Sequence, residues 1–129
     1  MLITHERKYY KMKVAVIGCG SIANSAHIPA YINNEKAEIK YFCDIIAERA
    51  EAAVKKYNCG TAVCDYKEVL ADPEIEAVSV CTPNKMHSTI AIDALRAGKN
   101  VLCEKPAARI YSEALEMQKV QHETGKVLN

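Results

Sequence analysis

The sequence predicts an α/β fold: a doubly wound, mostly parallel sheet of five to six strands with helices on both faces, in three layers. Short apolar segments rich in β-branched residues alternate along the chain with longer segments of helical pattern. Two glycines, one residue apart, follow the first apolar segment at the point where a helix begins. A chain of 129 residues, 50% of them hydrophobic, is long enough for one such layered domain.

The first third of the chain contains two predicted strands and one interrupted helix. Residues 13–18, KVAVIG, are apolar on both faces, as in a buried parallel strand. Residues 21–34 have a helical pattern, and Pro29 is expected to bend or shorten that helix because proline lacks the N–H donor. Residues 37–44, AEIKYFCD, are predicted to form the second strand.

The middle of the chain contains the strongest helix signal. Residues 47–57 are rich in Ala, Glu and Lys, and Asn58 and Gly60 follow them as stop signals. Residues 61–64 are a short third strand, and residues 66–71 are a brief helix that an Asp-Pro pair ends. This repeated order of strand and helix favours parallel strands joined by helical crossovers.

The last part of the chain continues the alternation. A strand is predicted at 76–82, a helix at 84–97, a fifth strand at 100–104 and an amphipathic helix at 111–125, and 126–129 begins a sixth strand. Because the sixth strand is barely begun, we expect the fifth to be an open edge beside an exposed apolar surface. Self-association through that region, giving a homo-oligomer, is therefore expected.

Composition excludes several classes of protein. The chain has 17 basic and 16 acidic residues, a net charge of +1, whereas nucleic-acid binding usually needs a basic excess. It contains neither an apolar run long enough for a membrane span nor the apolar core of a signal peptide. The six cysteines form no C-x-x-C pair, so we predict free thiols, no metal site and a cytoplasmic location.

One boundary is visible within the chain. Residues 1–11 differ in composition from the rest, and Met12 directly precedes the first strand. We therefore predict that 1–11 are a flexible N-terminal extension and that 12–129 form one domain.

The glycine pair belongs to a motif that binds dinucleotides. Residues 18–23, GCGSIA, are G-x-G-x-x-A placed between a strand and a helix. In this motif Gly18 permits the tight turn, Gly20 lets a pyrophosphate approach the backbone, and Ala23 permits close packing of the helix on the strand. The helix start offers unpaired N–H groups to the phosphates. A structural role for the glycines alone is the alternative.

Asp44 strengthens the dinucleotide prediction. It ends the second strand, 21 residues after Ala23, close to the spacing of the carboxylate that binds a ribose. A carboxylate there would accept hydrogen bonds from the ribose hydroxyls and repel a 2′-phosphate. The position therefore predicts NAD in preference to NADP. The alternative is that Asp44 is only a solvated turn or helix-start residue.

Two further motifs follow strands four and five. CTPNKMH spans 81–87 and CEKPAA spans 103–108, both at carboxyl ends of strands, where ligands bind in such sheets. Together with GCGSIA, Cys43-Asp44 and H-x-P-A at 27–30, they resemble the N-terminal Rossmann domain of the glucose–fructose oxidoreductase, inositol dehydrogenase and rhizopine catabolism family (Gfo/Idh/MocA). The resemblance covers residues 12–129.

The resemblance implies a cofactor, a reaction and a set of residues. Family members transfer a hydride between NAD(P) and a hydroxyl of a sugar, cyclitol or polyol. It implies that Lys105 is catalytic, orienting or protonating the substrate oxygen, and that the Lys105–Pro106 bond is often cis. The cofactor-binding residues it implies, with those of the motifs above, are Gly18, Gly20, Ser21, Ile22, Asp44, Thr82, Pro83, Asn84, His87, Glu104 and Lys105.

The chain departs from the family in one large respect. Family members carry a second domain that completes the substrate pocket, and this chain ends before it. We therefore expect the chain alone to be catalytically incomplete. The alternatives are a free-standing NAD-binding or sensing module and an unrelated Rossmann-like fold that binds another nucleotide.

Two residue types allow more than one interpretation. His27 lies on a helix, where a packed histidine is commoner than a ligand. His87, beside a strand-end loop, is open between packing and cofactor contact. Cys19 begins the motif's helix, whose dipole lowers a thiol pKa, and is therefore predicted to be the most reactive cysteine if its sulfur is exposed.

Overall fold

A computed structural model describes residues 10–129 of the chain as five strands with helices on both sides. The strands are β1 (Met12–Ile17), β2 (Ala37–Cys43), β3 (Thr61–Val63), β4 (Ala77–Val80) and β5 (Asn100–Cys103). The helices are α1 (Ile28–Ile32), α2 (Ala47–Tyr57), α3 (Tyr66–Ala71), α4 (His87–Arg96) and α5 (Tyr111–Thr124).

The five strands form one parallel sheet in the order β3-β2-β1-β4-β5. Successive strands are added outward from β1, first through β2 to β3 and then, on the other side, from β4 to β5. The order therefore reverses between β1 and β4, and a crevice is expected at the carboxyl ends of these two strands. The predicted doubly wound, three-layer fold is confirmed.

The two faces of the sheet carry separate apolar cores. One face packs against α3, α4 and α5 through buried residues that include Ile75, Ile90, Leu95 and Val120. The opposite face packs against α1, α2 and the helical turn before α1. Phe42 lies at the centre of that second core, fully buried, with its ring stacked on Tyr57. Apolar side chains on both faces explain why the strands are continuously apolar rather than alternating.

The first helix is irregular, as Pro29 predicts, but its irregularity has a specific form. Residues Ala23–His27 form a π-helical turn that runs directly into α1. The Ile28 N–H donates to the Ala23 carbonyl, five residues back. Because Pro29 has no N–H to continue the α-helical pattern, the extra residue is accommodated before it.

The fourth predicted helix also begins differently from its prediction. Residues Asn84–Met86 form a 3-10 turn, and the α-helix starts only at His87. Pro83, with extended backbone at φ −56° and ψ 147°, precedes the turn. Its closed ring favours an abrupt change of direction after β4, which brings the following residues over the end of the strand.

The predicted open edge of β5 is wrong. Val101 N–H donates to Val127 O at 2.8 Å, and Cys103 N–H donates to Asn129 O at 2.7 Å. Asn129 N–H in turn donates to Val101 O at 3.0 Å. Even a very short final segment satisfies this edge of β5. In a parallel pair only every second residue of a strand hydrogen-bonds to a given neighbour, and here these residues are Val101 and Cys103.

Apolar side chains are nevertheless exposed near the C-terminus, as predicted. Val127 is 61% exposed, and Ile110, Tyr111 and Leu115 on or beside α5 are also exposed. Self-association through them stays a prediction. Within residues 10–129, no helix combines the length and apolarity that a membrane span requires.

Most of the predicted N-terminal extension, residues 1–9, lies outside the described residues. Its last two residues are exposed, and the Tyr10 hydroxyl donates a hydrogen bond to the Glu76 carboxylate.

Candidate functional site

The loop after β1 requires glycine at its first position for two reasons. Gly18 has φ +95°, a conformation that side chains other than hydrogen rarely adopt. A Cβ there would lie 2.6 Å from the carbonyl carbon of Cys81 and 2.7 Å from the Thr82 nitrogen. The loops after β1 and β4 therefore touch through backbone atoms, and they form the floor of the crevice.

Gly20 serves a different purpose from Gly18. A Cβ at Gly20 would meet no atom within 4 Å, so glycine is not required there by packing within the protein. The residue instead borders open space on the crevice wall. An absent side chain beside open space leaves the backbone accessible to a bound group, as the motif predicts.

Asp44 is buried and fixes the loop after β1. Its Oδ2 accepts a hydrogen bond from Cys19 N–H at 2.9 Å, and its Oδ1 accepts one from Ile46 N–H at 2.9 Å. Asp44 is 8% exposed and is therefore not a solvated residue, although its hydrogen bond with Ile46 N–H does place it at the turn that begins α2. Each oxygen retains a second lone pair, so holding the loop and accepting a ribose hydroxyl are compatible.

A cleft of about 640 Å³ opens at the carboxyl ends of the strands. Five predicted site residues line it: Gly18, Gly20, Asp44, Thr82 and Pro83. The sequence reasoning missed other lining residues, which include Ile45, Ile46, Arg49, Cys64, Lys85 and Met86. Its volume lies within the range of small-molecule and cofactor sites. Ile45 is 89% exposed, and such an apolar side chain at a cleft mouth suits contact with a flat ring.

The cleft wall also contains an unpaired polar atom. Thr82 Oγ1 is buried and has no hydrogen-bond partner among the residues that the structure describes. Buried hydroxyls in proteins nearly always have a partner. An unpaired hydroxyl on the wall of this cleft, together with the accessible backbone at Gly20, is consistent with a ligand that supplies hydrogen-bonding groups.

His87 ties two loops together rather than facing the cleft. Its Nδ1 lies 2.8 Å from Pro106 O and its Nε2 lies 2.6 Å from Thr82 O. The side chain is 1% exposed, so neither ring nitrogen is free to meet a ligand. The structure therefore supports the packing interpretation of His87 and corrects the assignment to direct cofactor contact.

The Glu104-Lys105-Pro106 turn lies beside this wall, at the end of β5. Glu104 N–H donates to Val80 O at 3.0 Å, which joins the turn to the end of β4. Glu104 Oε1 lies 2.7 Å from His27 Nε2, and Oε2 accepts a hydrogen bond from Lys105 N–H at 3.2 Å. The hydrogen bond with His27 is the main cause that lowers the pKa of Glu104 below its usual value. The Lys105–Pro106 bond is cis, as the resemblance implies.

The remaining predicted site residues lie around the cleft but not on its wall. Lys105, Ser21, Ile22 and Asn84 are exposed at the loops after β5, β1 and β4. Among the described residues, no three His, Cys, Asp or Glu side chains are grouped as a metal site would require. The geometry is therefore that of a cleft for an organic ligand at the carboxyl edge of the sheet.

The condition for the predicted reactivity of Cys19, an exposed sulfur, is not met. Its side chain is buried, and burial together with the negative charge of Asp44 raises its thiol pKa to about 12. The helix-start position, which the prediction used, is outweighed by this desolvation. Cys64 is the one exposed cysteine of the six.

Comparison with known proteins decides the family. Residues 12–129 match the oxidoreductase family described as GFO_IDH_MocA, with an NAD-binding Rossmann fold. The chain belongs to this family. The resemblance based on the motifs is thereby confirmed.

Relatives of known activity are similar over most of this chain. D-glucoside 3-dehydrogenase of Escherichia coli is 35% identical over 117 residues, which cover 91% of this chain and 33% of that protein. Inositol 2-dehydrogenase of Salmonella typhimurium is 32% identical, covering 89% of this chain and 34% of that protein. The chain thus spans about one third of the length of these relatives.

Solved structures of the family share the same fold. A 3-ketoreductase from Actinomadura kijaniata, in complex with NADP and TDP-benzene, has a TM-score of 0.85 and 31% identity. The match covers 92% of this chain and 36% of the ketoreductase chain. The WlbA dehydrogenase in complex with NADH and UDP-GlcNAcA has a TM-score of 0.84 and 31% identity, covering 92% of this chain and 34% of that chain.

Proposed function

We propose that residues 12–129 are the dinucleotide-binding domain of an oxidoreductase that transfers a hydride between a nicotinamide cofactor and a hydroxyl of a sugar, cyclitol or related polyol. The observation that carries the proposal is the cleft where Gly18, Gly20, Asp44 and Thr82 meet at the reversal of strand order. The activities named for the relatives, on glucosides and inositol, support the substrate class.

The residues of the cleft have separate tasks in this proposal. The loop at Gly20 receives the pyrophosphate against bare backbone, and Asp44 holds that loop while accepting ribose hydroxyls. Ile45 and Ile46 contact the adenine ring. Thr82 Oγ1 gains the partner it lacks, and Pro83 shapes the wall beside it. Ser21, Ile22 and Asn84 border the same path from the rims of their loops.

Lys105 is proposed as the catalytic residue. When bound at the end of β5, the nicotinamide ring supplies the hydride acceptor or donor. Lys105 is exposed beside Glu104, where its ammonium group can hold the substrate oxygen by a hydrogen bond and can protonate that oxygen when a carbonyl is reduced. Water must be excluded from such a site, and the described residues leave Lys105 open to solvent. We therefore assign the walls of the substrate pocket to a further part of a longer protein.

We also propose NAD as the preferred cofactor. Asp44 places a negative charge on the cleft wall where a 2′-phosphate would lie, and no lysine or arginine pairs with it among the described residues. Arg49 and Lys85, which also line the cleft, are the groups that would favour NADP. The two solved relatives described above contain NADP in one case and NADH in the other.

Calorimetric titration with NAD⁺ and NADP⁺ tests this preference. We expect the wild type to bind NAD⁺ more tightly. Asp44→Asn should narrow the difference in affinity, because asparagine loses the charge while it keeps one of the two acceptors that hold the loop. Arg49→Ala is the matched variant, because it removes a positive charge from the same cleft, one that would favour NADP⁺. Equal affinity of the wild type for both cofactors would contradict the proposal. So would a wild type that binds NADP⁺ more tightly than NAD⁺ and loses only its NADP⁺ binding in Arg49→Ala.

The alternative function is a binding or sensing module without turnover. The solvent exposure of Lys105 favours it, because nothing in the described residues encloses a substrate. NADH formation from inositol or a glucoside by the longest natural form of the protein would decide for the enzyme. Tight dinucleotide binding without turnover by that form would decide for the module.

A further inference from the structure

A hydrogen-bonded network of four polar side chains ends at the Glu104-Lys105 turn, beside the cleft but not on its wall. His27 comes from the π-helical turn, Tyr31 from α1, Ser79 from β4 and Glu104 from the end of β5. The Tyr31 hydroxyl lies 2.7 Å from Ser79 Oγ, which lies 3.1 Å from His27 Nδ1. His27 Nε2 lies 2.7 Å from Glu104 Oε1. Four elements far apart in sequence thus converge on one carboxylate.

The protons available in these four side chains determine which group donates in each hydrogen bond. An ionised Glu104 only accepts, so His27 must donate to it through Nε2–H. An imidazole with one proton on Nε2 accepts through Nδ1, so the Ser79 hydroxyl donates to it. Ser79 Oγ then accepts from the Tyr31 hydroxyl. Each hydrogen bond fixes the direction of the next, and all of them point toward Glu104.

Packing alone does not explain these residues. Ser79 is fully buried in β4, whose other residues are Ala77, Val78 and Val80, and His27 is 9% exposed. An apolar residue in place of Ser79 would need no partner, whereas a buried hydroxyl and imidazole are costly unless every hydrogen bond is made. The π-helical turn that ends at His27 is also a feature frequent at functional sites.

These hydrogen bonds hold the negative charge of Glu104 in one position. Glu104 receives hydrogen bonds from His27 and from Lys105 N–H, so both its oxygens are held. Its side chain retains 22% exposure, and the carboxylate therefore meets the surroundings of the turn. Lys105 has the opposite charge, but its side chain is exposed and water screens it.

We propose that the His27–Glu104 pair, ordered by Ser79 and Tyr31, favours the oxidised cofactor by holding a negative charge close to the nicotinamide. The ring of NAD⁺ is positively charged and the ring of NADH is neutral, so a fixed carboxylate stabilises only the former. His27 is then a positioning residue, which acts through Glu104 and does not touch the cofactor. This inference rests on the proposed function, which places the nicotinamide at the end of β5.

Dissociation constants of NAD⁺ and NADH, measured by calorimetry at one salt concentration, test the inference. In Glu104→Gln the ratio of the NADH constant to the NAD⁺ constant should fall about two- to fivefold, the size expected for a partly exposed charge pair. His27→Gln should shift the ratio in the same direction by less, because glutamine can still donate to Glu104. The affinity for ADP-ribose, which lacks the nicotinamide, should not change in either variant.

Glu123→Gln is the matched control. It removes the same charge from an exposed residue of α5, near the end of that helix. Its NADH-to-NAD⁺ ratio should equal that of the wild type. A purely structural role for His27 would lower all three affinities together and leave the ratio unchanged, which would overturn the inference.

Nitrogen NMR of wild-type His27 provides a second measurement that needs no variant to fold. The expected spectrum has a protonated Nε2 and an unprotonated Nδ1. A doubly protonated ring would overturn the inference, because the pair would then be neutral overall. Failure of the wild type to bind either dinucleotide would overturn the proposed function and this inference with it. Binding with an unchanged ratio in Glu104→Gln would overturn the inference alone.

Discussion

The two ends of the sheet hold their carboxylates in different ways. At the carboxyl ends of the strands, Asp44 and Glu104 accept hydrogen bonds from N–H groups and from a histidine. Toward the amino ends, Asp72 and Glu74 form ion pairs with Lys40. A lysine partner cancels the charge of a carboxylate, whereas a backbone N–H fixes its position and leaves its charge. The difference leaves Asp44 and Glu104 without a lysine or arginine ion pair among the described residues.

This contrast separates a binding end from a structural end. Glu74 is exposed and its second partner Lys13 is partly exposed, and such pairs contribute little to stability. Asp44 is buried and holds the turn that shapes the cleft. We therefore expect substitutions at the carboxyl ends to alter both stability and ligand binding, and equivalent substitutions at the amino ends to alter neither strongly.

The largest expected effect is that of Gly18→Ala. Its Cβ would overlap the backbone of Cys81 and Thr82, and its φ of +95° would be strained. We expect a loss of about 3 kcal/mol in the free energy of unfolding, measured with urea. Gly20→Ala is the matched control within the same loop and should cost less than about 1 kcal/mol, since its Cβ meets nothing. Equal losses would show that the two glycines are not distinct in role.

Asp44→Ala should have the next largest effect. It would leave the N–H groups of Cys19 and Ile46 without their acceptor, at a cost of about 2 kcal/mol. Glu74→Gln, the matched change at the other end of the sheet, should change urea unfolding very little. A loss in Glu74→Gln as large as that in Asp44→Ala would contradict the contrast between the two ends.

Lowering the pH should reduce the free energy of unfolding by breaking the ion pairs at the amino ends of the strands. Hydrogen bonds from Lys40, the Glu74 N–H and Tyr41 lower the pKa of Asp72 to about 2. Its stabilising contribution is therefore complete above its unfolded pKa near 4 and is lost as pH falls from about 4 to 2. The loss should be under about 1 kcal/mol in this partly solvated pair, and Asp72→Asn should remove that pH dependence. Unfolding curves at pH 2, 3, 4 and 6 measure it.

Cysteine labelling should distinguish the exposed cleft mouth from the buried loops. Cys64 is exposed and should react first with a thiol reagent, while the raised pKa of Cys19 should keep it slow. Mass spectrometry of peptides after timed labelling measures both rates. Because Cys64 lines the cleft, NAD⁺ should slow its labelling. Faster labelling of Cys19 than of Cys64 would contradict the described burial.

The sequence was sufficient for the elements and for part of the site. The bounds of α2 and α3 agree with the predicted ranges 47–57 and 66–71, because periodicity and stop signals are local properties. The positions of Gly18 and Asp44 were also predictable, since their motif has a fixed spacing. Local pattern could not predict the 3-10 turn before α4. It predicted a strand beginning at 126, but not that so short a segment would cover the edge of β5, because both features depend on neighbouring strands.

The hydrogen-bonded network at Glu104 shows most clearly what sequence reasoning misses. His27 meets Ser79 and Glu104, which are 52 and 77 residues away along the chain. No local pattern relates positions so far apart. Two weak signals existed: a serine inside an otherwise apolar strand, and a histidine two residues before Pro29. Only the parallel order β1-β4-β5 brings them together.

Mapping the NAD⁺ site by NMR tests the central claim most directly. Amide signals of ¹⁵N-labelled protein should shift, on titration with NAD⁺, at Gly18–Ile22, Asp44–Ile46, Thr82, Asn84 and Glu104–Lys105. Signals of Lys13, Lys40, Asp72 and Glu74 should stay unchanged and serve as the internal control. Saturable shifts confined to the first group are the predicted result. Shifts centred on the amino ends of the strands, or none at millimolar NAD⁺, would contradict the account.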